Sequence, residues 1–211
     1  MSEVKIKKTK GRKLAYIEHV GDYGSIPFDN YISQLYGWAK EKKIRPGFQP
    51  MGVFYDSPEK TPSEKCRSEI GIPITGEAKL EPEKRIKIKN MPPMTVAMIK
   101  HKGSAKEYPE TYRKLSEWIV QNGYEWAGPA IEVYTRKPEV ASNGMIIYAT
   151  VQAPVKKIER AGEIVKPKYQ LFLLINRARI YKPGSSLSYI KTDKSSNQSR
   201  LHKNYLCNRR P

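Results

Sequence analysis

The chain has 211 residues, 38% of them apolar, and carries 39 Lys or Arg against 21 Asp or Glu for a net charge of +18. That length can bury a substantial core, yet the longest apolar run, "YQLFLLIN" at 169–176, falls well short of a membrane span. The charged opening "MSEVKIKKTKGRK" lacks a signal peptide's apolar segment, so the expected location is cytoplasmic.

The first element in chain order is "KLAYIEHV" (13–20), whose period of two predicts a strand. After Gly21 a helix is expected, with Ser25 as its N-cap and Tyr31, Leu35, Trp38 and Ala39 as one apolar face. Two strands follow, "MGVFYD" (51–56) and "RSEIGIPI" (67–74). The pattern then starts again. "TVAMIKHK" (95–102) is a strand, and a helix follows with Pro109 near its start and Gly123 as its stop. Its stripe is Tyr112, Leu115, Trp118 and Ile119. "AIEVYTR" (130–136) and "MIIYATVQAPV" (145–155) close the second unit. Residues 159–211 hold twelve Lys or Arg against Glu159, Glu163 and Asp193, half of the net charge in a quarter of the chain. Within it, "KPGSSLSYIKTDKSSNQSRLHKN" (182–204) is rich in Ser, Lys and Asn with few apolar residues, and the segment reads as a disordered, dispensable tail, whose only expected binding is weak, nonspecific contact with nucleic acid.

The two units are one unit repeated. Gly21 answers Gly103, Trp38 answers Trp118, Tyr55 answers Tyr134 and Pro73 answers Pro154, at shifts of 79 to 82 residues and in the same order. The expected fold is therefore α+β: a duplicated strand-helix-strand-strand module at about 5–78 and 84–158. Its halves form an antiparallel sheet with two main helices, related by a pseudo-twofold axis around a central groove.

Glu132 stands in the middle of a strand, where carboxylates are depleted. Aligning Tyr134 with Tyr55 makes Val53 its counterpart, so an inward position is expected, shared by strand parity with Tyr134. An inward carboxylate costs several kcal/mol unless it is partnered. A cationic ligand could be that partner, with rings adding roughly 0.5–2 kcal/mol each. The candidate rings are Trp38, Tyr55, Trp118, Trp126, Tyr134 and Tyr148. The competing readings are that the tryptophans are core, that Tyr148 is ordinary packing, and that Glu132 pairs with Arg136 or Lys156. Cys66 and Cys207 and the isolated His19, His101 and His202 make no metal-ligand spacing, so neither metal nor cofactor is expected.

"YIEHVGDYGSIPFDNYISQLYGWA", "FYDSPEKTPSEKCRSEIGIPI" and "AIEVYTRKPEVASNGMIIYATVQAP" resemble the segments of the GyrI-like small-molecule-binding domain, over about residues 5–158. That family includes the DNA gyrase inhibitory protein and effector domains of AraC- and MerR-type regulators. The resemblance implies a ligand held in the central groove, with the carboxylate of the Glu-x-Tyr segment, here Glu132, meeting cationic lipophilic compounds. It also implies two alternatives. One is hydrolysis of cyclopropane-bearing toxins, with Glu132 as base, Tyr134 or Tyr148 as proton donor and Glu69 as a second acid. The other is inhibition of DNA gyrase. The dozen residues before the first strand leave no room there for a helix-turn-helix, so a stand-alone binding module is the expectation.

Overall fold

The computed structural model describes residues 3–76, 85–142 and 144–159; the tail expected at 159–211 lies, from residue 160 on, outside the described residues. In chain order the elements are β1 (Lys5–Lys8), β2 (Arg12–Val20), α1 (Phe28–Glu41), β3 (Arg45–Pro46), β4 (Met51–Phe54) and β5 (Arg67–Thr75). Then come β6 (Ile86–Met91), β7 (Thr95–Gly103), α2 (Tyr108–Gln121), β8 (Tyr124–Trp126), β9 (Ala130–Tyr134), β10 (Glu139–Ala141) and β11 (Gly144–Lys157). The main sheet runs β1-β7-β11-β9-β4-β5-β2-β6, with every pairing antiparallel. β4 and β9 meet at the centre, and the order reads the same from either end once each strand is exchanged for its repeat.

The module departs from the expected one at its margins. Each half has an extra leading strand, and that strand pairs with the other half: β1 with β7, and β6 with β2. Both are lysine-rich ("KIKK", "IKIKNM") and lie at the ends of the sheet. The exposed lysines hide them from a hydrophobic pattern while serving as charged protection for an edge. The exchange ties the halves together at both margins as well as at the centre.

Both helices lie on one face. Tyr31, Leu35, Trp38 and Ala39 of α1 pack on Ala15, Ile17, Ile70, Ile72 and Ile74. Leu115 and Ile119 of α2 pack on Ala97, Ile99, Val151, Ala153 and Val155. Leu14, Met51, Val53, Met91, Ile131 and Val133 form a third cluster behind the central strands. Full burial of each large aliphatic chain is worth about 1.5–3 kcal/mol, so these clusters hold both helices to the sheet.

The helix ends differ in chemistry. Ser25 is not the cap of α1: it ends a 3-10 turn (Tyr23–Ser25), its hydroxyl donates to the Asp22 carbonyl at 2.7 Å, and Pro27 takes the cap position. Before α2, Ser104 and Glu107 make a capping box around a 3-10 turn, and Pro109 sits in the first helical turn, where no donor is missed. Gly123 ends α2 at φ +74°, a left-handed conformation suited to glycine. Among the described residues, no helix is long and apolar enough to cross a membrane.

Candidate functional site

Strand parity builds the site. Ile131 and Val133 turn into the cluster behind β9, so Glu132 between them turns toward the helices. The residue is 6% exposed. Its two oxygens are held separately: the Tyr112 hydroxyl donates to Oε1 at 2.8 Å, and the Tyr134 hydroxyl donates to Oε2 at 2.9 Å. The Tyr108 hydroxyl is buried beside the same carboxylate, interacting with it without completing a hydrogen bond of its own.

Burial raises the pKa of Glu132, and the three tyrosine hydroxyls pull it part of the way back. The same burial, with the adjacent carboxylate, pushes Tyr112 and Tyr134 well above the usual phenol value. The protons therefore stay on the phenols, which act as donors. Among the described residues, no Lys, Arg or His is in the set of groups that stabilise the carboxylate, so three neutral hydroxyls stand where a buried anion would ordinarily have a cation.

Rings close the space around it. Phe28, at the start of α1, meets the Tyr134 ring edge-on at 4.7 Å, and Tyr23 meets Phe54 edge-on at 5.0 Å. His101 stacks on Tyr108 at 3.9 Å while its Nδ1 lies 2.8 Å from the Thr111 hydroxyl. Burial lowers the His101 pKa, which keeps that ring neutral.

The repeat supplies the matching position in the first half, and it is not Val53. Gly52 pairs with Ile70 as Glu132 pairs with Val151, and Ile70 and Val151 each stand three residues before the matched Pro73 and Pro154. Gly52 also faces Glu132 directly across the β4–β9 pair. The Tyr55–Tyr134 alignment is one residue out of register, and such a slip moves a side chain to the opposite face. Gly52 has a local reason to be glycine. A Cβ there would lie 2.6 and 2.8 Å from the Phe54 ring and 3.3 Å from the Tyr134 hydroxyl.

Of the ring residues expected around Glu132, only Tyr134 is there. Trp38 is 4% exposed in the α1 core. Trp118 stacks on Tyr124 and, with Trp126, packs on the α2 core. Tyr55 and Tyr148 lie on the other face of the sheet. Tyr55 donates to Glu69 at 2.9 Å, and Tyr148 donates to Glu139 at 2.7 Å. Their strand positions have the wrong parity to reach Glu132. Glu69 is likewise on that face, paired with Lys89, and cannot serve Glu132 as a second acid. Arg136 lies over the Tyr148 ring and Lys156 pairs with Glu125 at 2.8 Å.

The residues not foreseen are Tyr23, Phe28, Phe54 and Tyr108, together with the site role of Tyr112. Tyr108 and Tyr112 stand four apart on one helix and so share a face, a signal the apolar stripe absorbed. Among the described residues no group of His, Cys, Asp and Glu could hold a metal.

A family model described as a GyrI-like small molecule binding domain matches residues 2–155. The C-terminal domain of EcmrR has the same fold at 16% identity, covering 75% of this chain and 99% of that one, with a TM-score of 0.63. An uncharacterized conserved protein from Listeria innocua is similar at 13% identity, with 73% and 92% covered and a TM-score of 0.56. A hydrolase from the same organism is similar at 12% identity, with 73% and 92% covered and a TM-score of 0.54. No curated protein matches the chain in sequence.

Proposed function

The chain belongs to the GyrI-like small molecule binding domain family, and from that premise we propose that it binds a lipophilic cation between α1 and α2. The observation carrying this reading is the buried carboxylate of Glu132, which is held by phenols and, among the described residues, has no cation in its stabilising set. A ligand cation supplies the missing countercharge, and the faces of Tyr108, Tyr112 and Tyr134 add cation–π attraction. The apolar side of the ligand rests on Phe28 and Phe54 of the first half. Because Glu132 is 6% exposed, entry requires the rings packed around it to move apart.

Hydrolysis at the same carboxylate needs a water on Glu132. Both of its oxygens already accept tyrosine hydroxyls, which favours binding over turnover. Glu132→Gln tests the binding reading, since it keeps the shape and removes the charge. Titration of a lipophilic cation should show a dissociation constant raised about 10- to 100-fold, the scale of 1.5–3 kcal/mol for a charged hydrogen-bonding contact. A neutral isostere of the same ligand should be nearly unaffected. Equal losses for both ligands, or none for either, would remove Glu132 from the site.

A further inference from the structure

The sheet face away from the helices carries a charge asymmetry that ligand binding does not use. In the first half, three cations on this face meet an acid, Lys87 with Glu18 at 2.7 Å, Lys89 with Glu69, and Arg67 with Asp56 at 2.9 Å, while Arg12 turns to the Met51 sulfur. The ladders give the equivalent positions in the second half. There Glu18 becomes Lys100, Glu69 becomes Thr150 and Asp56 becomes Arg136. The lysines of the exchanged strands remain, with Lys5 and Lys7 matching Lys87 and Lys89.

The result is a basic strip. Lys5 and Lys7 stand opposite Met98 and Val96, and so share the face of Lys100 and Lys102 on the neighbouring strand. Lys102 lies 5.8 Å and Arg136 4.9 Å from the centre of the Tyr148 ring. All five cations are exposed. Lys5 meets the exposed Glu3 at 3.5 Å. Among the described residues, Lys7, Lys100, Lys102 and Arg136 have no carboxylate within ion-pair distance.

We infer that this strip is a docking surface for the phosphate backbone of a nucleic acid. The charge is predominantly positive, with Glu3 beside Lys5 and Glu139 on the Tyr148 hydroxyl as the acids near it, and it lies on the sheet face away from both helices. From the level of Lys7 to that of Lys102 the strip runs roughly 20 Å, at about 3.4 Å per strand residue. A nucleic-acid strand carries one phosphate per nucleotide, so several phosphates fall within the length of the strip. The cations meet phosphates rather than bases, so binding is insensitive to base sequence and weakens with salt.

The test gives the second half the acids of the first, as the double variant Lys100→Glu with Arg136→Asp in the full chain. Anisotropy titrations use a labelled 20-nucleotide single strand and a 20-base-pair duplex over a salt series. The variant should bind at least tenfold more weakly at 100 mM salt. Its log–log salt slope should shrink by about 1.5–2, because two phosphates are no longer neutralised. Lys87→Gln, in the neutralised half, should change neither quantity. The melting temperatures of all three proteins should agree, since the altered side chains are exposed. An unchanged affinity and slope in the double variant would place any binding elsewhere on the chain and overturn the inference. So would a wild-type protein that binds neither probe at 50 mM salt. Binding to anionic phospholipid vesicles without binding to either oligonucleotide would also overturn it, by assigning the strip to a membrane surface.

Discussion

The surroundings of Glu132 have two unequal sides built on one plan. α1 and α2 are both 14 residues long and start 80 residues apart, so Phe28 answers Tyr108 and Ile32 answers Tyr112. The strand ladders make Gly52 answer Glu132 and Phe54 answer Tyr134. Every polar site residue of the second half thus has an apolar or absent side chain opposite it in the first. The supporting frame did not diverge in this way: His19 reaches the Tyr31 hydroxyl at 3.3 Å much as His101 reaches Thr111 at 2.8 Å. The duplication kept the scaffold and differentiated the surroundings of Glu132, leaving one polar, charged wall and one oily wall.

The largest expected effect comes from making the charged wall resemble the oily one. Tyr112→Phe removes a donor from a buried anion and should cost about 1.5–3 kcal/mol in urea unfolding at neutral pH. The first half offers a matched control in Tyr55, which also donates to a carboxylate but is 40% exposed, and whose acceptor Glu69 keeps Lys89. Tyr55→Phe should cost under about 1 kcal/mol. Equal costs for the two variants would mean that the Glu132 shell is no more desolvated than the opposite face.

A smaller effect should come from filling the one position the oily wall leaves empty. Gly52→Ala puts a methyl group 2.6 Å from the Phe54 ring. Overpacking of this kind costs about 1–3 kcal/mol, and the lower end is expected because the ring is half-buried and can shift. Moving Phe54 disturbs its contact with Tyr23, so affinity for a neutral aromatic ligand should fall with stability. A stability change without an affinity change would show that the ligand does not touch this wall.

Much of this arrangement could be read from the chain. Two helices of matched apolar spacing, strands of period two and paired Gly, Trp and Pro landmarks point to the duplicated α+β fold. The exposed lysines of β1 and β6 concealed the strand exchange, because an edge strand needs no hydrophobic pattern. Glu132 was visible because a carboxylate is out of place in a strand. Its shell was not, because tyrosines on a helical stripe look the same whether their hydroxyls meet solvent or a buried acid. The tryptophans misled for the complementary reason: their size draws them into each half's core, away from the shared groove. Register was the other weak point. Tyr55 and Tyr134 align well as letters, yet one residue of slip exchanges Gly52 for Val53 and so hides the contrast between the walls.

The smallest effect, and the one that separates the two halves by sign, is the dependence of stability on pH. Burial raises the Glu132 pKa in the folded state above the ordinary value of 4.5. Over the interval between those two values the native protein holds more protons than the unfolded chain. Stability from this group is therefore full below pH 4.5 and is lost as pH rises through the folded value. Each unit of separation corresponds to about 1.4 kcal/mol once both states are ionised. Asp56 in the first half behaves oppositely. The hydrogen bonds from Arg67 lower its pKa below 3.8, so its contribution is present above that value and is lost as pH falls. Urea unfolding between pH 3 and 8 should then show the wild-type protein losing ground to Glu132→Gln as pH rises from 4.5, and gaining ground on Asp56→Asn as pH rises toward 3.8. The second slope should be shallow, because Arg67 is exposed and solvent screens the pair. Parallel curves for wild type and Glu132→Gln would mean that the tyrosine hydroxyls fully offset burial. The carboxylate would then be satisfied without a cation, and the oily and charged walls would have to be explained by a neutral ligand.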